Sequence, residues 1–292
     1  MIFTQKNGLK FNKMIDEKLI FDIGMHNGRD TDFYLRKGFK VIAVEASPIT
    51  YKKGLSQFEK EIEKGQLKII NKAISNGNET LKFRHYKDHD DWSSTVDDWN
   101  DSMYSSDFDV FEVLPTNVDE LMQEFGTPYY MKIDIEGSDA LCLDALLKVK
   151  EKPKYISVEL LTVNNLKENS KKDYLEILSK LRANGYTKFQ LVDQSKHAET
   201  KCPKPALEGT FVEVEFDGFS SGLFGKELPN NWKSIDEVVF DYLQYTGLKT
   251  QINIENQLKG KKGKIGNLFY KPQVSYLNQM NPEGWFDVHA TY

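Results

Sequence analysis

Leu19-Ile-Phe-Asp-Ile-Gly24-Met-His-Asn-Gly28 is the stretch whose reading decides the fold. An apolar run of strand length ends in Asp and Gly, and the chain then turns. Asp30 or Thr31 caps a helix over Asp32–Lys37, which Gly38 closes. Lys40-Val-Ile-Ala-Val-Glu45 is a second strand, too apolar on both faces for an exposed hairpin. Pro48 starts an amphipathic helix expected to reach about Lys64, and Leu67–Ala73 forms a third strand. Strands alternating with helices at this spacing describe a parallel α/β sheet.

Outward from there, residues 79–86 alternate as a further strand. Lys87–Asp109 is acidic and aromatic without a period, and is expected to be a long loop walling a substrate. Asn117 caps a helix to Phe125, and Tyr129–Glu136 is a strand that Gly137 breaks. Ser138 is expected to cap a helix to Val149. Strands at Tyr155–Leu160 and Gly185–Asp193 flank a helix over 170–183. Beyond residue 195 the rhythm fades, apart from a helix near 234–245 and a Gly/Lys-rich stretch at 259–266. The expected architecture is α/β: a doubly wound, mostly parallel seven-stranded sheet. A core over 15–195 would carry an extension over 196–292 that packs on it and completes the sheet and the substrate pocket.

At 292 residues the chain can bury about three quarters of its unfolded surface, so it needs no disulfide staples. Its two cysteines, Cys142 and Cys202, exclude a disulfide scaffold and a four-cysteine zinc site. A net charge of −5 leaves no basic excess to grip a phosphate backbone, and Lys259–Lys264 reads as a solvated loop. No segment approaches the ~20 apolar residues of a membrane span, and the first residues lack a signal peptide's apolar core. A cytoplasmic protein without nucleic-acid or membrane partners is expected; the oligomeric state stays open, with a homodimer among the alternatives.

Two constellations carry chemistry. In Asp22-x-Gly24-x-x-x-Gly28 the glycines let backbone approach a ligand at a helix N-terminus, and Glu45 stands where an acid receives ribose hydroxyls. The pattern is not G-x-G-x-x-G. An anion at Asp22 repels phosphate but suits the amino-acid end of S-adenosylmethionine. In the second, Lys132, Asp134 and Glu136 share one face of their strand, and Glu159 ends the next. These acids could orient a hydroxyl, take its proton or hold a divalent cation, although no metal is predicted. The same residues also read as a structural network that Lys132 neutralises.

Asp22-Ile-Gly24-Met-His-Asn-Gly28-Arg-Asp30-Thr31, Val44-Glu45-Ala46 and Lys132-Ile-Asp134-Ile-Glu136-Gly137 resemble the FkbM family of S-adenosylmethionine-dependent methyltransferases. The similarity spans roughly residues 15–195. Asn71-Lys-Ala73 and Asn117-Val-Asp119-Glu-Leu121 also fit it. Ser221-Gly222-Leu-Phe-Gly225 and Trp285-Phe-Asp-Val-His289 resemble a subgroup. The resemblance implies a class I, Rossmann-like methyltransferase fold. Asp22, Gly24 and Gly28 would line the methionine end of S-adenosyl-L-methionine, Glu45 would bind its ribose, and Ala46 would flank adenine. Thr31, Asn71, Ala73 and Asp134 join the cofactor candidates. Met25-His26-Asn27 departs from the family's small-residue stretch, so His26 is either a cofactor contact or a satisfied loop residue.

The expected reaction is O-methylation of a hydroxyl on a sugar, glycan or small natural product. Asp134, Glu136 or Glu159 would orient that hydroxyl and accept its proton. N-methylation, an NAD-dependent dehydrogenase and a cofactor-binding module without turnover are the alternatives. In the loop, Trp92-Ser93-Ser94 with Asp88, Asp90 and Asp91 would wall the acceptor, Trp92 stacking on a sugar face; the plainer reading is a solvated acidic loop. Near the end of the sequence, alternation places Trp285, Asp287 and His289 on one strand face. That face would return to the acidic edge, where His289 would supply a base or a contact; the plainer reading is a strand that only closes the core.

Overall fold

A computed structural model describes residues 14–96, 107–160, 170–217, 220–242 and 286–292. Seven strands form one sheet. Strand β1 (Ile15–Ile23) lies between β2 (Lys40–Val44) and β8 (Thr127–Ile133), and β3 (Leu67–Ile70) flanks β2. On the other side β9 (Tyr155–Leu160) pairs with β8, and β10 (Lys188–Asp193) forms the far edge. Between β9 and β10 sits β11 (Phe286–Thr291), antiparallel to both. Six strands thus run one way and one returns, as the sequence led us to expect. Two short pairs stand outside this sheet: β4 (Ala73–Ile74) with β7 (Pro115–Thr116), and β5 (Leu81–Tyr86) with β6 (Phe108–Val113).

Alternation along the buried strands feeds two cores. Leu19, Phe21, Ile23, Met131, Ile133, Val158 and Val288 face one side, with α4 (Val118–Phe125), α5 (Asp139–Leu146) and α6 (Ser170–Ala183) over it. On the other side Ile20, Val41, Ala43 and Tyr130 meet α1 (Arg29–Arg36) and residues 212–228. Phe224 lies flat on Tyr130, with ring centroids 4.7 Å apart. Full burial of such a ring contributes roughly 1.5–3 kcal/mol. Lys37 and Glu227, both fully buried, pair at 2.8 Å and pin this segment to the end of α1. Residues 212–228 thus cover one face of the sheet, and β11 lies one strand in from its far edge. Residues 235–242 form the helix expected near 234–245, as far as the described residues reach.

Local boundaries differ from the sequence reading in several places; the strand expected over Leu67–Ala73 stops at Ile70, and the helix expected to Val149 stops at Leu146. Helix α1 starts at Arg29 after a left-handed Gly28, so Asp30 and Thr31 lie in its first turn and face inward instead of capping it. The helix from Pro48 breaks at Phe58 into α2 (Pro48–Gln57) and α3 (Glu59–Glu63), because Phe58 is buried beneath Gly28. Ser138 makes no capping bond; the Asp139 carboxylate accepts from the N–H groups of Ile135 and Gly137 instead. The stretch expected to be a loop to Asp109 ends in β6, which alternates and pairs with β5. The Asn117 cap holds as expected, accepting from Glu120 N–H at 2.9 Å. Lys259–Lys264 and Trp285 lie outside the described residues.

Candidate active site

The candidate site lies at the C-terminal ends of β1, β2, β8 and β9, where open α/β sheets take their ligands. Gly24 follows β1 with φ +93°, and a Cβ there would stand 1.8 Å from the Asp134 carbonyl oxygen. A Cβ on Gly28 would meet the Phe58 ring at 2.5 Å. Both glycines are thus required by the protein's own packing, a reason the sequence did not reveal. His26 takes a left-handed φ of 47° between them, and its N–H donates to Glu45 Oε2 at 2.8 Å. Ser47 N–H donates to Glu45 Oε1 at 2.7 Å. The Asn71 amide donates to the carbonyls of Glu45 and Ala46 at 2.8 and 3.0 Å. Burial pushes the Glu45 carboxyl up, while those two backbone donors pull it down.

Beside this cradle the His26 imidazole meets Asp90 at 3.1 Å, Nε2 to Oδ1, and Lys53 stands 3.9 Å from the other Asp90 oxygen. Ser94 Oγ donates to the Glu136 carbonyl at 2.7 Å. The loop expected to wall the site therefore touches both ends of it. Asp90 and Ser94 belong to the group expected to wall the acceptor, but the aperiodic stretch does not show which partner either one meets. The Trp92 side chain lies outside the described set. His85 turns inward to Ser47, and burial lowers its pKa.

Lys132 is the cation of this edge. Its ammonium stands 3.2 Å from Asp134, 3.6 Å from Asp22 and 3.6 Å from Asp30, and donates to the Gly24 carbonyl at 2.9 Å. Asp22 is fully buried and accepts from Thr31 Oγ1, so both lie beneath the site floor. Asp30 accepts from Ser221 N–H through both oxygens, at 2.9 and 3.1 Å. Burial pushes Asp30 up to about 6 and raises Asp22 as well. Burial opposes the Lys132 charge, yet Asp134, Asp22 and Asp30 together hold its pKa well above the usual value.

Asp134, Glu136 and Glu159 come together as expected: one oxygen of each lies within 4.8 Å of the others. Glu136 has φ 50°, left-handed for a residue with a Cβ, and this turn holds its backbone at the mouth. Burial, then the charges of Asp134 and Glu136, pushes Glu159 well above the usual carboxylate range.

The β11 face returns to this edge, but with a different residue in place. Asp287 pairs in register with Glu159, whereas His289 pairs with Ser157, one step deeper. Asp22, Lys132, Ser157, His289 and Gln190 form a buried polar row across five strands. His289 is 1% exposed and stacks parallel to Tyr130, with centroids 6.4 Å apart. Burial lowers its pKa to about 3. Its folded value lies below the unfolded value of about 6.5, so its contribution is complete above that pH and lost as pH falls toward 3. The carboxyls raised by burial act with the opposite sign, so a difference measurement is needed. His289→Gln is expected to be less stable than wild type at pH 7.5, with the gap narrowing by up to about 2–3 kcal/mol as pH falls to 4.5. Urea denaturation at both pH values checks this; a constant gap would show that His289 protonates freely in the native state.

The Methyltransferase FkbM domain family matches residues 22–188. The chain belongs to this family of methyltransferases. No curated protein matches it significantly. Among solved structures, a methyltransferase FkbM from Methylobacillus flagellatus KT is 15% identical, covers 63% of this chain and has a TM-score of 0.40. This chain spans only 42% of that one. An O-methyltransferase from Bacillus cereus in complex with SAH is 12% identical over 60% of this chain and 67% of its own, at a TM-score of 0.38. For precorrin-6y C5,15-methyltransferase from Geobacter metallireducens GS-15 the values are 11%, 62%, 69% and 0.35.

S-adenosyl-L-methionine is the cofactor of this FkbM methyltransferase domain. The Glu45 cradle fits it: two backbone donors fix the carboxylate, and two of its four acceptor positions remain for a ribose diol. Glu45→Gln is expected to weaken S-adenosylhomocysteine binding by ~2–4 kcal/mol, because it removes the charge and turns an NH2 toward a backbone N–H. Calorimetry measures this directly; unchanged affinity would place the ribose elsewhere.

Proposed function

We propose that this FkbM methyltransferase domain methylates a hydroxyl oxygen on a sugar, glycan or small natural product. The observation that supports this reading is the trio of Asp134, Glu136 and Glu159, with oxygens within 4.8 Å of one another at the mouth of the cradle. A hydroxyl nucleophile must lose a proton, and these carboxylates are its acceptors. A carboxylate lifted by burial and like charge, as Glu159 is, is a stronger base than an ordinary one. Excess negative charge here repels phosphorylated or carboxylated acceptors and favours neutral polyols.

Bound S-adenosylmethionine supplies a methyl group on a sulfonium: the O–C bond forms as the S–C bond breaks, and S-adenosylhomocysteine leaves. The chain's own part is alignment, which supplies much of the rate in such a displacement. Glu45 holds the ribose, and the Gly24–Gly28 turn fixes the methionine end. Glu159 and Glu136 hold the acceptor hydroxyl and take its proton. We place the proton-accepting role on these carboxylates and leave His289, buried and neutral at working pH, as part of the polar row behind them. Thr31 and Asp22 support the floor, while Asn71, Ala46 and Ala73 shape the adenine end.

An acceptor screen with methyl-labelled cofactor tests the reading. Label is expected on neutral polyhydroxylated acceptors and not on their phosphorylated counterparts. Transfer to amines alone would replace O-methylation by N-methylation.

A further inference from the structure

We propose that Asp134, Glu136 and Glu159 bind a hard divalent cation at the acceptor end of the site. Three carboxylates from two adjacent strand ends present oxygens within 4.8 Å of one another. Oxygen ligands opposite each other on such an ion stand ~4.2 Å apart around Mg2+ and ~4.6–5.2 Å apart around Ca2+. Three oxygens no more than 4.8 Å apart can therefore close around either ion. Carboxylates without thiolate or imidazole partners select this hard class over zinc or copper.

A second observation points to a missing positive partner. Asp287 is 2% exposed, and its Oδ1 accepts from the Gln194 amide at 2.6 Å. Its Oδ2 has no hydrogen-bond partner among the described residues, and the residue stands in register with Glu159. Glu159 Oε2 is likewise buried without a hydrogen-bond partner. Two buried carboxyl oxygens on neighbouring strands, both lacking donors, go against the rule that buried polar atoms are satisfied. Lys132 makes its direct ion pairs with Asp134, Asp22 and Asp30 and acts on Asp287 only through its field, which does not outweigh burial. A cation among the three oxygens meets the Glu159 deficit directly and lowers the field that Asp287 experiences.

Held there, the ion would orient an acceptor hydroxyl through its open coordination positions. That role rests on the methyl-transfer reading, but ion binding does not. The test therefore uses the full chain without cofactor or acceptor, so its failure leaves methyl transfer standing. Mn2+ binding followed by electron paramagnetic resonance is expected to show one site, displaced by Mg2+ or Ca2+. Glu136→Gln and Glu159→Gln are each expected to weaken it at least about tenfold, as loss of a ligand should. Glu124→Gln, an exposed acid elsewhere, should leave it unchanged. No Mn2+ bound by the wild type at millimolar concentration overturns the proposal. Equal affinity in the wild type and both site variants overturns it too, and circular dichroism confirms that each variant is folded.

Discussion

Lys132→Met is expected to destabilise the fold by about 3–5 kcal/mol, the largest single effect in the molecule. The substitution keeps most of the apolar stem but removes the ammonium that, among the described residues, pairs with Asp22, Asp30 and Asp134. Asp22 and Asp30 would remain buried as uncompensated anions. The loss should depend on pH in a defined direction. Burial already raises both folded pKa values above the unfolded one, Asp30 to about 6, so each contributes stability that is lost as pH rises through the folded value. Without Lys132 those values climb further, and the variant should recover part of its deficit on going from pH 8 to pH 6. Urea denaturation at the two pH values reads both quantities. A cost below about 1 kcal/mol, with no recovery, would mean that water rather than Lys132 neutralises the acids.

Glu159→Gln is expected to separate folding from chemistry. Among the described residues its Oε2 and the Asp287 Oδ2 are both buried without a hydrogen-bond partner, so an amide in place of the carboxyl supplies a donor to a position that lacks one. The variant should be at least as stable as wild type. Turnover, in contrast, should fall by ~10²–10⁴, the usual contribution of a positioned base. Affinity for S-adenosylhomocysteine should hold, since Glu45 is fixed by backbone donors on other elements. Single-turnover methyl transfer and calorimetry measure the two halves. Undiminished turnover would remove Glu159 from the proton transfer and leave Asp134 and Glu136 as acceptors.

The parallel half of the sheet was legible because strands buried on both faces read as continuous apolar runs, broken only where a polar residue reaches the ligand edge. Asp22, Lys132 and Glu45 stand out for that reason. The sequence showed less where meaning depends on a distant partner. Asp287 looked like one of several residues on a terminal strand, and only its register against Glu159 makes it a neighbour of the acidic site. Asp30 looked like a cap, because nothing local announces that Ser221, 191 residues later, donates to it. Gly24 was read as room for a ligand, while the space is filled by the Asp134 carbonyl. Short pairs such as β4 with β7 lack the length for a period to show.

The position of β11 also governs the order in which the molecule can be assembled. Residues 286–291 leave the ribosome after every other strand of the sheet, yet they belong between two of them. Until they arrive, β9 and β10 have nothing to join them, and each offers an open row of backbone donors and acceptors to any passing chain. Synthesis pausing before that point leaves Ser157 and Gln190 facing water where His289 will later stand. Closure of the sheet is therefore a late, long-range event, and the half-made chain is the species with most to gain from a chaperone.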